Sequence, residues 1–305
     1  MKKILLILSI IILVGCTNKN QSLNFKNKLE KTKSYYTEGT MEIINDQNKT
    51  TFNINVSKDN NNYKVDFINT VSNYEQIILK NETGTYVISP KLNKSYKFNN
   101  TWPDNTNQIY LIDNIIKNID TKKYKNNKIE TKIDNNKQIV YFKNNRISKI
   151  EIRDKNDILK IRMIYKNIDL KPEFDKDYFK LDSIPTSKVE ETSNKLDEII
   201  YPMYMPLNTY LDNEEKTNDD SRVILTFGGE KPFTIIEDVL NVKDKLNTTN
   251  MNGDIVLVDD KLGSQDDTSI TWIDENIEYF ATSKDLSKEE LLEVAKSMGS
   301  VPLIK

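Results

Sequence analysis

The 305-residue sequence contains no histidine and one cysteine. Without histidine there is no Ser/His/Asp triad, no Cys/His dyad and no His-ligated zinc or iron centre, which removes most familiar hydrolase chemistry. A single cysteine excludes an internal disulfide. A chain of this length, enough for about two domains, buries cores large enough to do without such staples. Charge of one sign is also lacking: 44 Lys plus Arg against 46 Asp plus Glu leave a formal net charge of −2. That is no footing for nucleic acid, where a clustered basic excess is expected. The abundance of Lys, Asn and Ile has the look of AT-rich coding and carries no function.

The lone cysteine sits in an informative place. Met1, Lys2 and Lys3 precede an apolar run from Ile4 to Val14, broken only by Ser9. About eleven residues at 1.5 Å each fall well short of a hydrocarbon core of roughly 30 Å, so the run reads as the h-region of a signal peptide. It ends in Leu13, Val14, Gly15, Cys16, the pattern of a bacterial lipobox, with small residues before the cut and a thiol directly after it. This resemblance to bacterial lipoproteins implies cleavage between Gly15 and Cys16. It also implies attachment of diacylglycerol to the Cys16 sulfur, with acyl chains such as palmitate holding the chain on the outer face of the cell membrane. No later segment is apolar enough to span a bilayer.

Charge divides the remaining chain. Residues 17–190 carry a net +9 and residues 191–305 a net −13. The change falls where loop composition runs from Ser183 to Ser193, which suits a linker. The expected organisation is a signal peptide over 1–15, a lipidated N-terminus and tether over 16–27, a first domain over 28–183, a linker over 184–195 and a second domain over 196–305.

The first domain reads as antiparallel sheet. Strands are expected over 35–45, 50–58, 62–69, 74–80, 85–89 and 95–98, then over 127–133, 138–143, 147–154 and 158–168, separated by Asn/Asp clusters that tolerate left-handed backbone. Alternation places Met41, Ile43, Phe52, Ile54, Val56, Tyr63, Val65 and Phe67 on one face. Helices are expected over 22–34, starting at a Ser22 cap, and over 107–119, with Ile109, Ile112, Ile116 and Ile119 at helical spacing. A strongly curved sheet with helices on its concave face accommodates this order. The second domain reads as small and α+β. Strands 224–227 and 233–240 flank the Gly228–Gly229 hairpin connection, with further strands over 254–259, 268–273 and 277–282. Ser287 and Glu290 form a capping box that opens a helix over 288–298.

Four stretches resemble the LolA-like family, which includes the outer-membrane lipoprotein carrier LolA, the regulator RseB and germination lipoproteins of the GerS type: LEKTKSYYTEGT (29–40), YEQIILK (74–80), TYVISPKLNKSYKF (85–98) and WPDNTNQIYL (102–111). The resemblance implies an incomplete antiparallel β-barrel wrapping helices around an apolar cleft, in a protein that is mainly β with a small α+β module after it. It also implies a non-enzymatic binding or chaperone-like role for a partner protein or apolar ligand, in sporulation, germination or cell-envelope biogenesis. ITWIDENIEYF (270–280) and LSKEELLEVAKSM (286–298) are similar to a poorly characterised module of Gram-positive lipoproteins. Unlike a soluble carrier, a chain with its own lipid anchor cannot ferry cargo between membranes.

Candidate cleft residues are Tyr35, Phe52, Tyr63, Phe67, Trp102 and Tyr110, although aromatic residues at strand spacing are more often core. Lysines 117, 122, 123, 125 and 128 form a basic run that suits either anionic head groups or a plain solvated face. The acidic pairs Glu214/Glu215, Asp219/Asp220, Asp259/Asp260 and Asp266/Asp267 lack the alternating spacing of a calcium loop. The Gly228, Gly229 pair lacks the rest of a phosphate loop. No catalytic residue, metal or cofactor is expected. The alternatives are a cell-envelope hydrolase using carboxylates, or lipid and lipoprotein handling within one membrane.

Overall fold

The computed structural model describes residues 20–45, 48–103, 108–133, 135–187 and 195–299. Cys16, Gly15 and the signal segment lie outside them, as do 188–194 of the expected linker. The fold is mainly β. Helix α1 (Gln21–Leu29) leads into a meander of β1 (Ser34–Asn45), β2 (Asn48–Asp59), β3 (Asn62–Asn69), β4 (Glu75–Asn81), β5 (Gly84–Ser89) and β6 (Lys94–Phe98). Helix α2 (Ile112–Asn118) precedes a second meander of β7 (Lys128–Ile133), β8 (Asn136–Lys143), β9 (Arg146–Arg153) and β10 (Leu159–Asp169). The rest comprises β11 (Thr209–Lys216), β12 (Arg222–Gly229), β13 (Phe233–Val239), β14 (Asn247–Met251), β15 (Asp254–Val258), β16 (Lys261–Gln265), β17 (Ser269–Asp274), β18 (Ile277–Thr282) and helix α3 (Lys288–Lys296).

Asparagine makes the turns. Asn60 joins β2 to β3 at φ 53°, and Asn144 and Asn145 join β8 to β9 at φ 51° and 56°. Two consecutive positive φ values are what a tight hairpin of the right twist requires. The two meanders meet where β1 pairs with β10, antiparallel, with a register shift at Glu38/Gly39. A Cβ on Gly39 would lie 2.4 Å from Met163 Cε and 2.6 Å from the Ile164 oxygen, so this close approach needs glycine.

The first sheet has eleven strands in the order β14-β6-β5-β4-β3-β2-β1-β10-β9-β8-β7, and the second has seven, β11-β12-β13-β18-β17-β16-β15. Neither closes on itself. Both helices lie on one face of the large sheet. Phe25 and Leu29 of α1 and Ile112, Ile115 and Ile116 of α2 share a buried cluster with Met41, Phe52, Ile54, Val65 and Ile78. At about 1.5–3 kcal/mol per fully buried large apolar side chain, this packing rather than helix propensity holds two such short helices.

Both helices differ from the sequence expectation. α1 is capped by Asn20, whose side chain accepts the Leu23 N–H, rather than by Ser22, and it ends at Leu29. α2 begins only at Ile112, because Leu111 is still extended. It is then latched from its first turn. Asp113 accepts hydrogen bonds from the hydroxyls of Tyr35 and Tyr63, both at 2.7 Å, and an ion pair from Lys58 at 3.0 Å. Burial alone would raise the Asp113 pKa, but Lys58 and the two hydroxyls outweigh it and hold the carboxyl below its ordinary value.

The opposite face of the large sheet is covered too. Ile77, Leu79, Tyr86 and Ile88 pack against Phe179, Leu181 and Ile184. Next to them stands Asn93, fully buried in the left-handed region at φ 47°. Its side-chain amide donates to the carbonyls of Ser187 and Lys243, and its oxygen accepts the Ser187 N–H. Its backbone carbonyl accepts the Asn247 N–H. One residue thus seats β14, the strand from the second half that pairs in parallel with β6.

Asn93→Ala is expected to lower stability by about 2–4 kcal/mol, since several buried groups lose partners and alanine disfavours the left-handed backbone. Denaturant unfolding measures it. Asp113→Ala is expected to lose about 3 kcal/mol at pH 7, leaving Lys58 and two hydroxyls without their acceptor. A carboxyl with a depressed folded pKa stabilises above its unfolded value near 3.9 and ceases to as pH falls further. The gap between wild type and Asp113→Ala should therefore narrow at pH 3, read from the same titration.

Candidate partner-binding surface

The six aromatic residues expected to line a cleft come together, but as filled core. Tyr35, Phe52, Tyr63, Phe67, Trp102 and Tyr110 are each at most 7% exposed. Edge-to-face contacts link Phe52 to Phe67, Phe67 to Tyr110 and Tyr63 to Trp102, at centroid distances of 6.1, 5.1 and 5.7 Å. The Trp102 indole N–H is satisfied by Gln108 Oε1 at 2.8 Å. The expected cleft is corrected accordingly: α2 and the segment around Tyr110 occupy the space that an apolar ligand would need. Burial, and for Tyr35 also the neighbouring Asp113, pushes the hydroxyls of Tyr35 and Tyr110 far up, so both stay neutral.

An open cleft of about 760 Å³ lies instead where the two halves meet. Lys49 and Lys91 of the basic half and Asp259, Asp260, Asp274 and Glu275 of the acidic half border it. Polar contacts join the two halves beside it. The Gln76 amide accepts the Leu262 N–H at 2.6 Å and donates to the Leu262 carbonyl at 3.1 Å, while Asn69 donates to Asp260 at 2.6 Å. Lys261 is paired with Asp260 and Asp274. Burial opposes its charge, but the two carboxylates prevail and raise its pKa. The acidic pairs have structural work here. Asp266 caps a turn through the Thr268 and Ser269 N–H groups, and Asp219 accepts from Ser221. No group of three or more potential metal ligands occurs among the described residues.

The surface that lacks an internal explanation is the stretch Tyr201–Leu211, which composition alone did not single out. Pro202 and Pro206 are buried, and Met205, half-buried, packs on the second core; a turn at Leu207 and Asn208 follows, closed by the Thr209 N–H on the Pro206 carbonyl. The residues around them face solvent: Met203 is 75% exposed, Leu207 82% and Tyr210 59%, with Tyr201, Tyr204 and Leu211 also exposed. Six large apolar side chains exposed within eleven residues form a patch of the kind that marks an interaction site. The strap is pinned at its N-terminal end. The Glu237 carboxylate accepts the Ile200 N–H at 3.1 and 3.3 Å, and the Met203 N–H donates to the Ser297 carbonyl.

After that turn the strap enters β11, the outermost strand of the second sheet, exposed almost throughout and, among the described residues, paired on one side only, with β12. Gly229 permits this approach: it has φ 115°, and a Cβ there would sit 2.0 Å from the Asn208 oxygen. Asp212, Glu214 and Glu215 line the strand, and Glu214 accepts from the Tyr201 hydroxyl at 2.6 Å. The result is an unpaired backbone edge, flanked by exposed apolar side chains and carrying negative charge.

Glu237 is fully enclosed, and burial raises its pKa to about 7. An acid whose folded pKa lies above its unfolded value destabilises the fold as pH rises between the two, from about 4.5 to 7. Glu237→Gln keeps an acceptor for Ile200 and is expected to stabilise the protein by about 2 kcal/mol at pH 8, with little change at pH 4.5. Thermal unfolding at both pH values measures it.

No family model matches the chain. It is similar to the sporulation protein YdcC of Bacillus subtilis, at 29% identity over 322 residues that cover 96% of this chain and 94% of that protein. Among solved structures it is similar to the Pseudomonas aeruginosa MucA/MucB complex, with a TM-score of 0.30, 11% identity and coverage of 91% of this chain and 97% of that one. A LolA-superfamily protein from Nitrosomonas europaea gives a TM-score of 0.19 at 10% identity, covering 87% of this chain and 92% of that one.

Proposed function

We propose that this protein is a lipid-anchored, extracytoplasmic, non-enzymatic platform that binds a partner protein along β11 and the strap before it. The observation that carries the reading is the coincidence of an open sheet edge with six exposed apolar side chains. An extended segment of the partner adds as a strand to β11, where main-chain hydrogen bonds supply affinity and side-chain contacts supply selectivity. The acidic row Asp212, Glu214 and Glu215 favours a segment in which apolar residues alternate with basic ones. A second copy of this chain would set acid against acid on the same edge. The lipobox pattern at Leu13–Cys16 supports anchoring. Similarity to a Bacillus subtilis protein named for sporulation supports a role in spore formation, and the LolA-like stretches support a binding fold over an enzyme.

Capture from detergent-solubilised membranes tests the surface. Met203→Ser/Leu207→Ser/Tyr210→Ser, all at exposed positions, is expected to lose the captured partner while keeping its unfolding midpoint within the range of surface substitutions. Recovery equal to wild type would refute the assignment. Cys16→Ser is expected to abolish incorporation of labelled palmitate and to release the chain from the membrane fraction; unchanged incorporation would refute the anchor.

A further inference from the structure

The N-terminal end of α1 is tied into the fold. Asn20, the cap of α1, is built into a collar of two loops. Its amide donates to the Thr121 carbonyl at 2.7 Å, and Gln21 donates to Asn127 and accepts the Asn145 N–H at 3.0 Å. Asn24 donates to Asn145 at 3.2 Å. The origin of the chain is therefore fixed to the loop before β7 and to the β8–β9 turn. Only four Cα–Cα steps separate Asn20 from Cys16, so in any conformation the two lie within about 15 Å of each other.

The collar is strongly basic. Lys122, Lys123 and Lys125 flank Thr121, Lys143 flanks the turn, and Lys117 lies in the last turn of α2; all five are exposed and none makes an ion pair among the described residues. Asp120 is the exposed acid in the loop, and Glu130 nearby is neutralised by Lys128. Leu23, on the first turn of α1, is 43% exposed beside them. In strand order the acidic second half attaches at the other edge of the large sheet, through β14 and β6.

The geometry points to this lysine collar as the membrane-contacting face, which docks on anionic phospholipid head groups around the anchor. The inference rests on the proposed acylation of Cys16 for its geometry and on charge complementarity for its chemistry. Head-group attraction decays within a Debye length of about 8–10 Å, so lysines next to a short tether are placed to feel it. The collar fixes the orientation of the protein and leaves the acidic half pointing away from an anionic surface.

Two arms test it. In the first, the unacylated mature chain carrying Cys16→Ser is sedimented with phosphatidylcholine vesicles containing 30% phosphatidylglycerol. Binding at low salt is expected to fall at least tenfold in Lys122→Gln/Lys123→Gln/Lys125→Gln/Lys143→Gln, but not in the off-collar control Lys171→Gln/Lys176→Gln. Equal binding of wild type and the fourfold variant would overturn the collar, whatever the fate of the anchor. In the second, the acylated chain carries one fluorophore on a new cysteine, from Lys125→Cys or from Asn213→Cys on β11, in vesicles with a head-group nitroxide lipid. Quenching at 125 well above that at 213 is expected. Equal quenching in vesicle-bound protein would overturn the orientation, whereas absence of acylation or vesicle retention would overturn the anchor reading and leave the first arm to decide the collar.

Discussion

An open sheet must do something with its edges. Unpaired backbone N–H and C=O groups on an edge strand are a template for another chain, and the two open sheets of this protein have four such edges. Three are dealt with inside the molecule. At one end of the large sheet β14, delivered from the second half and seated by Asn93, is itself the edge: five residues, four of them Asn or Thr, too short to template another chain. The β7 edge carries Lys128, Glu130 and Lys132, charges that discourage pairing. The β15 edge belongs to a strand whose Ile255 and Leu257 pack against the core of the first half. The fourth, β11, is acidic and bulged near Asp212, which guards against self-pairing, yet it is flanked by Tyr201, Met203, Tyr204 and Leu207 in solvent. An edge that repels its own kind while presenting apolar side chains suits the proposed partner strand.

The same constraint accounts for the two halves acting together. Charge separates them along the sequence, but the fold interleaves them: β14 completes the first sheet, Leu262 and Ile273 enter the first core, and the Lys94–Glu278 ion pair bridges them at 3.3 Å. The interior meanwhile has become a packed core latched by Asp113, leaving the exterior for recognition.

Much of this was legible in the sequence. Alternation located β3 to the residue and most other strands within one or two, because each has one face on the core. The capping box at Ser287 and Glu290 forms as the spacing implied. β11, β14 and β16 were not legible. TYLDNEEK is acidic and exposed, NTTNM has almost nothing apolar, and KLGSQ is short with a glycine inside it; each is a strand only because a neighbour offers it hydrogen bonds. The aromatic set was found and core was expected for most of it, but Trp102 and Tyr110, the likeliest cleft residues, are buried as well. Whether Phe67 or Tyr110 lines a cavity or fills one depends on where α2 lies, and no local pattern encodes that. The proposed partner-binding surface was missed for the opposite reason. The strap reads as an apolar, Pro-interrupted loop, and only the burial of Pro202, Met205 and Pro206 reveals which side chains remain outside.

The central claim is that β11 is an edge awaiting a strand. Amide hydrogen exchange of the full chain, alone and in the complex captured from membranes, tests it most directly. In the free protein the outward amides of residues 209–216 should exchange as exposed groups; in the complex they should gain protection together with residues 201–207. If those amides exchange equally fast in both states while protection appears elsewhere, β11 is not where the partner binds.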